Sequence, residues 1–222
     1  MAKRGEDPGD NVSATLARRP GRPKVVESEE RRRSILAAAR EAFVELGFAR
    51  TTTAEVAARA KVSKRAIYEA FANRTELFAE VIRDCQHLIV DLPRPDGEDL
   101  PVFETLVRIF RLDLDDDAEL AREAVLNLIV RESTLLPELS DYLYENEVIR
   151  SREALVEWLL LESGRGRMSI EDPLVHAGML MDIVFGALLP RRRLLQAADR
   201  ALRTEHIKKR FAIYLRGIGS EV

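Results

Sequence analysis

The sequence predicts an all-α protein, built as a small three-helix N-terminal unit followed by a larger helical unit. Two observations carry this: apolar residues recur at three- and four-residue spacing along most of the chain, and no stretch alternates as a strand does. No internal repeat breaks the pattern into a solenoid. With 46% hydrophobic residues among 222 the chain can bury a core, and 11 Gly with 9 Pro exclude collagen-like or linker composition.

Taken in order, residues 1–25 are polar and read as a flexible basic arm. A first helix is expected from Val26, with Ser28 as cap and Ile35, Ala39, Ala42, Phe43 and Leu46 on its buried face, ending at Gly47 in the left-handed conformation. Thr52 caps a short second helix, with Glu55 in capping-box register, and that helix ends near Lys61. Ser63 caps a third, burying Ala66, Ile67, Ala70 and Phe71. Asn73 caps a long fourth helix whose apolar positions Leu77, Phe78, Val81, Ile82, Cys85, Leu88 and Ile89 run to Pro93. Five further helices are expected at 102–114, 118–135, 137–161, 173–189 and 205–218.

The single cysteine, Cys85, forms no intramolecular disulfide or thiolate metal site, residues 1–11 lack the apolar stretch of a secretory signal, and the apolar segment 177–189 is too short to span a bilayer. A cytoplasmic protein without membrane association is expected. Charge is asymmetric: between Arg18 and Arg74 there are 14 Lys and Arg against 7 Asp and Glu, whereas the chain as a whole carries -3. A basic unit on an acidic body suits a polyanionic partner, because phosphate contacts release counterions.

Residues 52–71 have the dimensions of a helix-turn-helix, and its second helix exposes Lys64, Arg65, Tyr68 and Glu69 opposite its buried face. Cations at the start of such a helix reach guanine or phosphate in the major groove, Tyr68 can donate to a phosphate, and Ala66 is small enough to touch a thymine methyl. These residues sit in a recognisable pattern. The stretch A-x-x-x-F-x-x-x-G-F-x-x-T-T-x-x-x-V-A from Ala39 to Ala57, V-S-x-x-x-I-Y-x-x-F from Val62 to Phe71, and N-R-x-x-L from Asn73 to Leu77 resemble the DNA-binding domain of the TetR transcriptional regulators. The resemblance implies phosphate contacts from Thr52, Tyr68 and Arg74, and base contacts from Lys64, Arg65 and Glu69. Two positions depart from it: Lys61 stands where the family usually has Gly, and Ala70 where it often has an aromatic or His. Lys61 would carry a strain of about 1 kcal/mol at positive φ.

Ahead of this unit, residues 18–24 read R-R-P-G-R-P-K, similar to the core of an AT-hook, which would place Arg22 in a narrow minor groove; a plain basic arm fits equally. At the other end, Asp172 caps and Pro173 opens a helix in which Gly178, Asp182 and Gly186 form a stripe of low bulk. The final helix gathers Ile207, Phe211, Tyr214, Leu215 and Ile218 on one face. The family resemblance implies that these two helices pair across a two-fold axis, so Gly178, Asp182, Gly186, Phe211 and Tyr214 are expected at a homodimer interface, with Arg210 or Tyr214 as partner to Asp182. A monomer core is the alternative.

Phe103, Phe110, Asn127, Arg131, Tyr142 and Trp158 are candidates for a ligand cavity or for a closed core. Asp113, Asp115, Asp116 and Asp117 read as helix capping rather than calcium ligation, since the turn glycine is absent. His87, His176 and His206 lack ligand spacing, Gly164-Arg165-Gly166 follows a helix rather than a strand, and no catalytic constellation stands out, so neither metal, cofactor nor enzymatic activity is expected. The expected domains are 1–25 as arm, 26–75 as helix-turn-helix domain and 76–222 for dimerisation and ligand binding. The expected function is a dimeric repressor on a near-palindromic double-stranded operator, released by a small apolar effector. The rivals are an architectural DNA-binding protein without effector and a helical enzyme with a DNA-binding appendage.

Overall fold

A computed structural model of the protein describes residues 24–95, 97–188 and 197–220; Arg22 and most of the basic arm lie outside them. Among the described residues there are eleven helices and no strand. They are α1 (Lys24–Leu46), α2 (Thr53–Ala60), α3 (Lys64–Ala70), α4 (Arg74–Asp84), α5 (Gln86–Ile89), α6 (Val102–Ile109), α7 (Asp116–Leu135), α8 (Pro137–Glu145), α9 (Ser151–Gly164), α10 (Pro173–Leu188) and α11 (Ala197–Gly217). Among the described residues no helix is long and apolar enough to cross a membrane.

Five helix starts follow from a single local device, a side-chain oxygen that accepts an otherwise orphaned N–H, among them α10, where Asp172 accepts from Leu174 and Val175 as expected. Thr52 accepts from Glu55, Ser63 from Ala66, Asn73 from Glu76 and Asp115 from Ala118. Asp116 and Asp117 lie in the first turn of α7, where the helix dipole favours them. Gly47 closes α1 at φ 81°, as expected, and a second constraint acts there: a Cβ would lie 3.1 Å from Glu132 Oε1 on α7.

Several boundaries differ from the sequence reading. Ser28 lies inside α1, which starts at Lys24, and is not its cap. The fourth helix is not continuous: Cys85 interrupts it and α5 follows with only four residues. The single helix expected over 137–161 is two helices, α8 and α9, separated by residues 146–150 with Glu147 at φ 57°. The last helix starts at Ala197 rather than at 205, and α6 ends at Ile109 rather than at 114. The breaks at Cys85 and at residues 146–150 are joined by Gln86 donating to Val148 O and Arg83 to Asn146 O, contacts to which periodicity is blind.

Two apolar cores result. The first joins α1–α5 to the inner faces of α7 and α8, and at its centre Phe43, Phe48 and Phe78 meet at ring distances of 5.0 to 6.0 Å. It therefore runs on past residue 75, through Phe78, Val81 and Ile82 to Val125 and Leu128. The second is built by α6, α9, α10 and α11 around Phe110, Trp158, Leu180 and Phe211. A buried charge cluster fastens α7 to α11: Glu119 takes Arg122 at 3.2 Å and Arg203 at 2.9 Å, and Glu123 takes Arg203 at 2.5 Å. Burial lowers the Arg122 pKa by penalising its charge, and Glu119 opposes that shift.

Candidate nucleic-acid interface and effector cavity

Helices α2 and α3 are joined by Lys61, Val62 and Ser63, and the turn is closed by Lys61 N–H to Ala58 O at 3.3 Å and Val62 N–H to Ala57 O at 3.0 Å. Lys61 adopts φ 55°, ψ 40°, the left-handed conformation that glycine takes without strain. Ile67 and Phe71 anchor α3 in the core. Its outer face presents Lys64, Arg65, Tyr68 and Glu69, while Ala66 is half-buried at the rim.

These exposed groups already interact. Arg65 Nε donates to Glu69 Oε1 at 2.7 Å, and this bond raises the guanidinium pKa further. The Tyr68 and Thr53 hydroxyls stand 3.1 Å apart. Thr52 uses a lone pair as α2 cap, which leaves its hydroxyl proton free to donate outward. Arg74 is less free than the sequence implied: Nη1 donates to the carbonyls of Ala49 at 3.3 Å and Thr51 at 3.1 Å, and its guanidinium lies 4.3 Å over the Phe48 ring. It braces the loop ahead of α2.

Sequence reasoning missed two supports. Thr51 is fully buried and its hydroxyl lies within bonding distance of the Ala42 and Gly47 carbonyls, 3.1 and 2.7 Å away. Arg32 of α1 lies 4.5 Å over the Phe71 ring and pairs with Glu80 of α4. The signal for Arg32 was a charge on the apolar stripe of Ile35, Leu36 and Ala39, where a cation needs a reason to be. Glu80 also pairs with Arg83, and Arg83 Nη2 donates to Asn146 O at 3.2 Å. Polar contacts thus run from the end of α3 to the loop between α8 and α9.

That loop walls a cavity of about 430 Å³ between the two cores. Ile82 and Ile89, Leu126 and Ile129 of α7, Val148 and Ile149 of the loop, and Met181 and Phe185 of α10 make its apolar lining. Gln86, Ser151, Arg152 and Glu153 supply polar groups, and Glu153 Oε1 accepts from the Tyr144 hydroxyl at 2.9 Å, which raises the phenol pKa. The six ligand candidates are not brought together here. Phe110 and Trp158 are packed in the second core with Phe103 beside it, Asn127 is exposed, and Tyr142 packs on the first core. Arg131 bonds Glu132 at 2.8 Å and the Phe43 carbonyl at 3.1 Å. Facing positions on one helix were legible, but adjacency between six helices and the loop of residues 146–150 was not.

The dimer candidates also separate. Phe211 is wholly buried, and Tyr214 lies inside its own chain with its hydroxyl 2.7 Å from His176 Nδ1. Gly178 faces α9, where Arg152 Nη1 would lie 3.6 Å from a Cβ. Asp182 is exposed and is bonded by neither expected partner, since Arg210 donates instead to Ile183 O at 3.4 Å. The outward surfaces of α10 and α11 carry Leu174, Val175, Met179 and Ile213, each exposed by 47 to 63%. No group of three or more potential ligands is placed to hold a metal among the described residues.

An all-helical body carrying an exposed recognition helix on a braced helix-turn-helix defines a DNA-binding transcriptional regulator. Residues 35–81 match the family model of bacterial regulatory proteins of the tetR family. The chain is 23% identical over 191 residues to the uncharacterized HTH-type transcriptional regulator YvkB of Bacillus subtilis (strain 168), covering 84% of this chain and 96% of that one. GusR of Salmonella enterica has the same fold at TM-score 0.67 and 21% identity, over 85% of this chain and 94% of its own. A transcriptional regulator from Saccharomonospora viridis, solved in complex with choline, matches at TM-score 0.55 and 18% identity, over 85% and 96%. Over residues 35–81 the chain thus carries the DNA-binding domain of the tetR family of bacterial regulatory proteins.

Proposed function

We propose that the protein is a homodimeric repressor that grips a near-palindromic operator with two α3 helices and releases it when a small apolar molecule fills the cavity. Residues 26–75 act as the reading unit, and 76–222 as the dimerisation and sensing unit. Lys64 and Arg65 address bases, with Ala66 against a thymine methyl and Glu69 tuning Arg65; Thr52 and Tyr68 address phosphates, and Arg74 positions the loop beside them. The dimer seam uses Val175, Met179, Asp182 and Gly186 of α10 with Ile213 of α11, an apolar surface that a monomer would leave in water.

The observation that carries release is the set of contacts Arg32–Glu80, Arg83–Glu80 and Arg83–Asn146, reinforced by Gln86 Nε2 donating to Val148 O. An occupant that pushes residues 146–150 outward pulls on α4 and, through Arg32, on α3. For a hundredfold loss of operator affinity the effector must prefer the released form by about 2.7 kcal/mol, and by reciprocity operator DNA weakens the effector equally. Selection from random duplexes tests the first half: an inverted-repeat site whose affinity falls with salt is expected. Enrichment of no inverted repeat, or salt-independent binding, overturns the reading.

A further inference from the structure

We infer that the occupant of the cavity is an amphipathic anion: an apolar body against α7 and α10 whose single negatively charged head, a carboxylate in the simplest case, pairs with Arg152. The inference rests on the cavity being the effector site, and adds the chemistry of its ligand.

The charge arrangement points to it. Between residues 101 and 188 the chain has eight arginines, and seven of them, Arg108, Arg111, Arg122, Arg131, Arg150, Arg165 and Arg167, sit within 4 Å of a carboxylate. Arg152 is the exception among the described residues, and it is the one cation lining the cavity. The carboxylate next to it in sequence, Glu153, is engaged by the Tyr144 hydroxyl instead. The Arg152 guanidinium rests beside Gly178, where α10 carries no side chain to cover it. This exposed, planar five-donor group beside the apolar lining offers two parallel N–H donors to a carboxylate. Ser151, adjacent in the lining, adds a hydroxyl donor. The volume falls within the usual range of small-molecule sites, about 300 to 1,000 Å³.

The test uses three probes with one tail and different heads, decanoate, decan-1-ol and decyltrimethylammonium, titrated calorimetrically into the full-length protein and its Arg152→Gln variant. Decanoate should bind roughly tenfold or more tighter than decan-1-ol, and Arg152→Gln should erase that preference while leaving the alcohol unchanged. Equal binding of acid and alcohol overturns the anionic head but leaves an apolar effector site standing. Tightest binding of the ammonium probe assigns the site to a cation held by Glu153 and Tyr144 and likewise overturns it. If no probe binds, or an Ile129→Trp variant that fills the cavity binds all of them as before, the effector site itself is refuted along with its ligand class.

Discussion

Arg32 Nη1 of α1 donates to the carbonyl oxygen of Ala70, the last residue of α3, at 3.3 Å. The same guanidinium covers Phe71 and pairs with Glu80, so one side chain holds the end of the recognition helix to two other helices. Arg32→Ala should cost about 1 to 3 kcal/mol in urea unfolding and also weaken operator binding. Arg32→Lys should fall between, since an ammonium restores the ion pair but not the planar stack.

Glu69 shields Arg65 in the free protein. Glu69→Gln should therefore strengthen binding to random duplex DNA and steepen its salt dependence, as an extra cation becomes available to phosphate. Arg65→Ala should instead lower affinity for the selected operator by roughly one to two orders of magnitude while changing random-DNA affinity little. Competition gel shifts at several salt concentrations separate the two outcomes.

Lys61 holds its left-handed conformation with a Cβ in place. Lys61→Gly should stabilise the fold by about 1 kcal/mol, read as a raised urea midpoint at unchanged slope. Operator affinity should drop slightly if the lysine charge also contributes.

The Tyr214 phenol is pushed up to about 12 by burial. A folded-state pKa above the ordinary value of about 10 means that the folded protein holds this proton more tightly. Stability from this group is complete below pH 10 and is lost as pH rises from about 10 to 12. Tyr214→Phe should flatten that part of the stability profile relative to the parent protein, while costing about 1 kcal/mol at neutral pH through the lost contact to His176.

A Cβ at Gly186 meets nothing within 4 Å in the protomer. Gly186→Arg should thus leave the protomer folded and act only on the seam, giving monomers in light scattering and reduced operator affinity. A dimer that persists would move the interface off this face of α10.

What was legible in the sequence is what is decided locally. The caps at Thr52, Ser63, Asn73 and Asp115 each reach a backbone group three residues on, and Gly47 takes the φ expected of it. The outer face of α3 follows from helical spacing once Ile67 and Phe71 are recognised as buried. The break at Cys85 has neither Gly nor Pro to mark it, and α5 and residues 146–150 are held by the long-range tethers from Gln86 and Arg83. Phe211 and Tyr214 share a face with Ile207, but whether that face meets its own chain or a partner is a matter of what lies opposite, which here is Phe110 at 5.6 Å and His176. The cavity lies deepest in this blind spot, because its walls are collected from segments spread between Ile82 and Phe185.

Helix α7 has 20 residues and so is about 30 Å long. Its first turns are bolted to α11 through Glu119 and Glu123, its middle forms one cavity wall, and its last turns abut the C-terminus of α1 through Arg131 and Glu132. Held at one end, it is a lever: a tilt of about 5° moves the far end by roughly 2.6 Å over that length. The reading heads of a dimer must match half-sites about 34 to 36 Å apart, one turn of the duplex or a multiple of it. In the proposed dimer two such levers, swinging in opposite senses about a two-fold axis, would double the error, so a guest too small to reach the DNA-binding unit would still take the calipers off their setting.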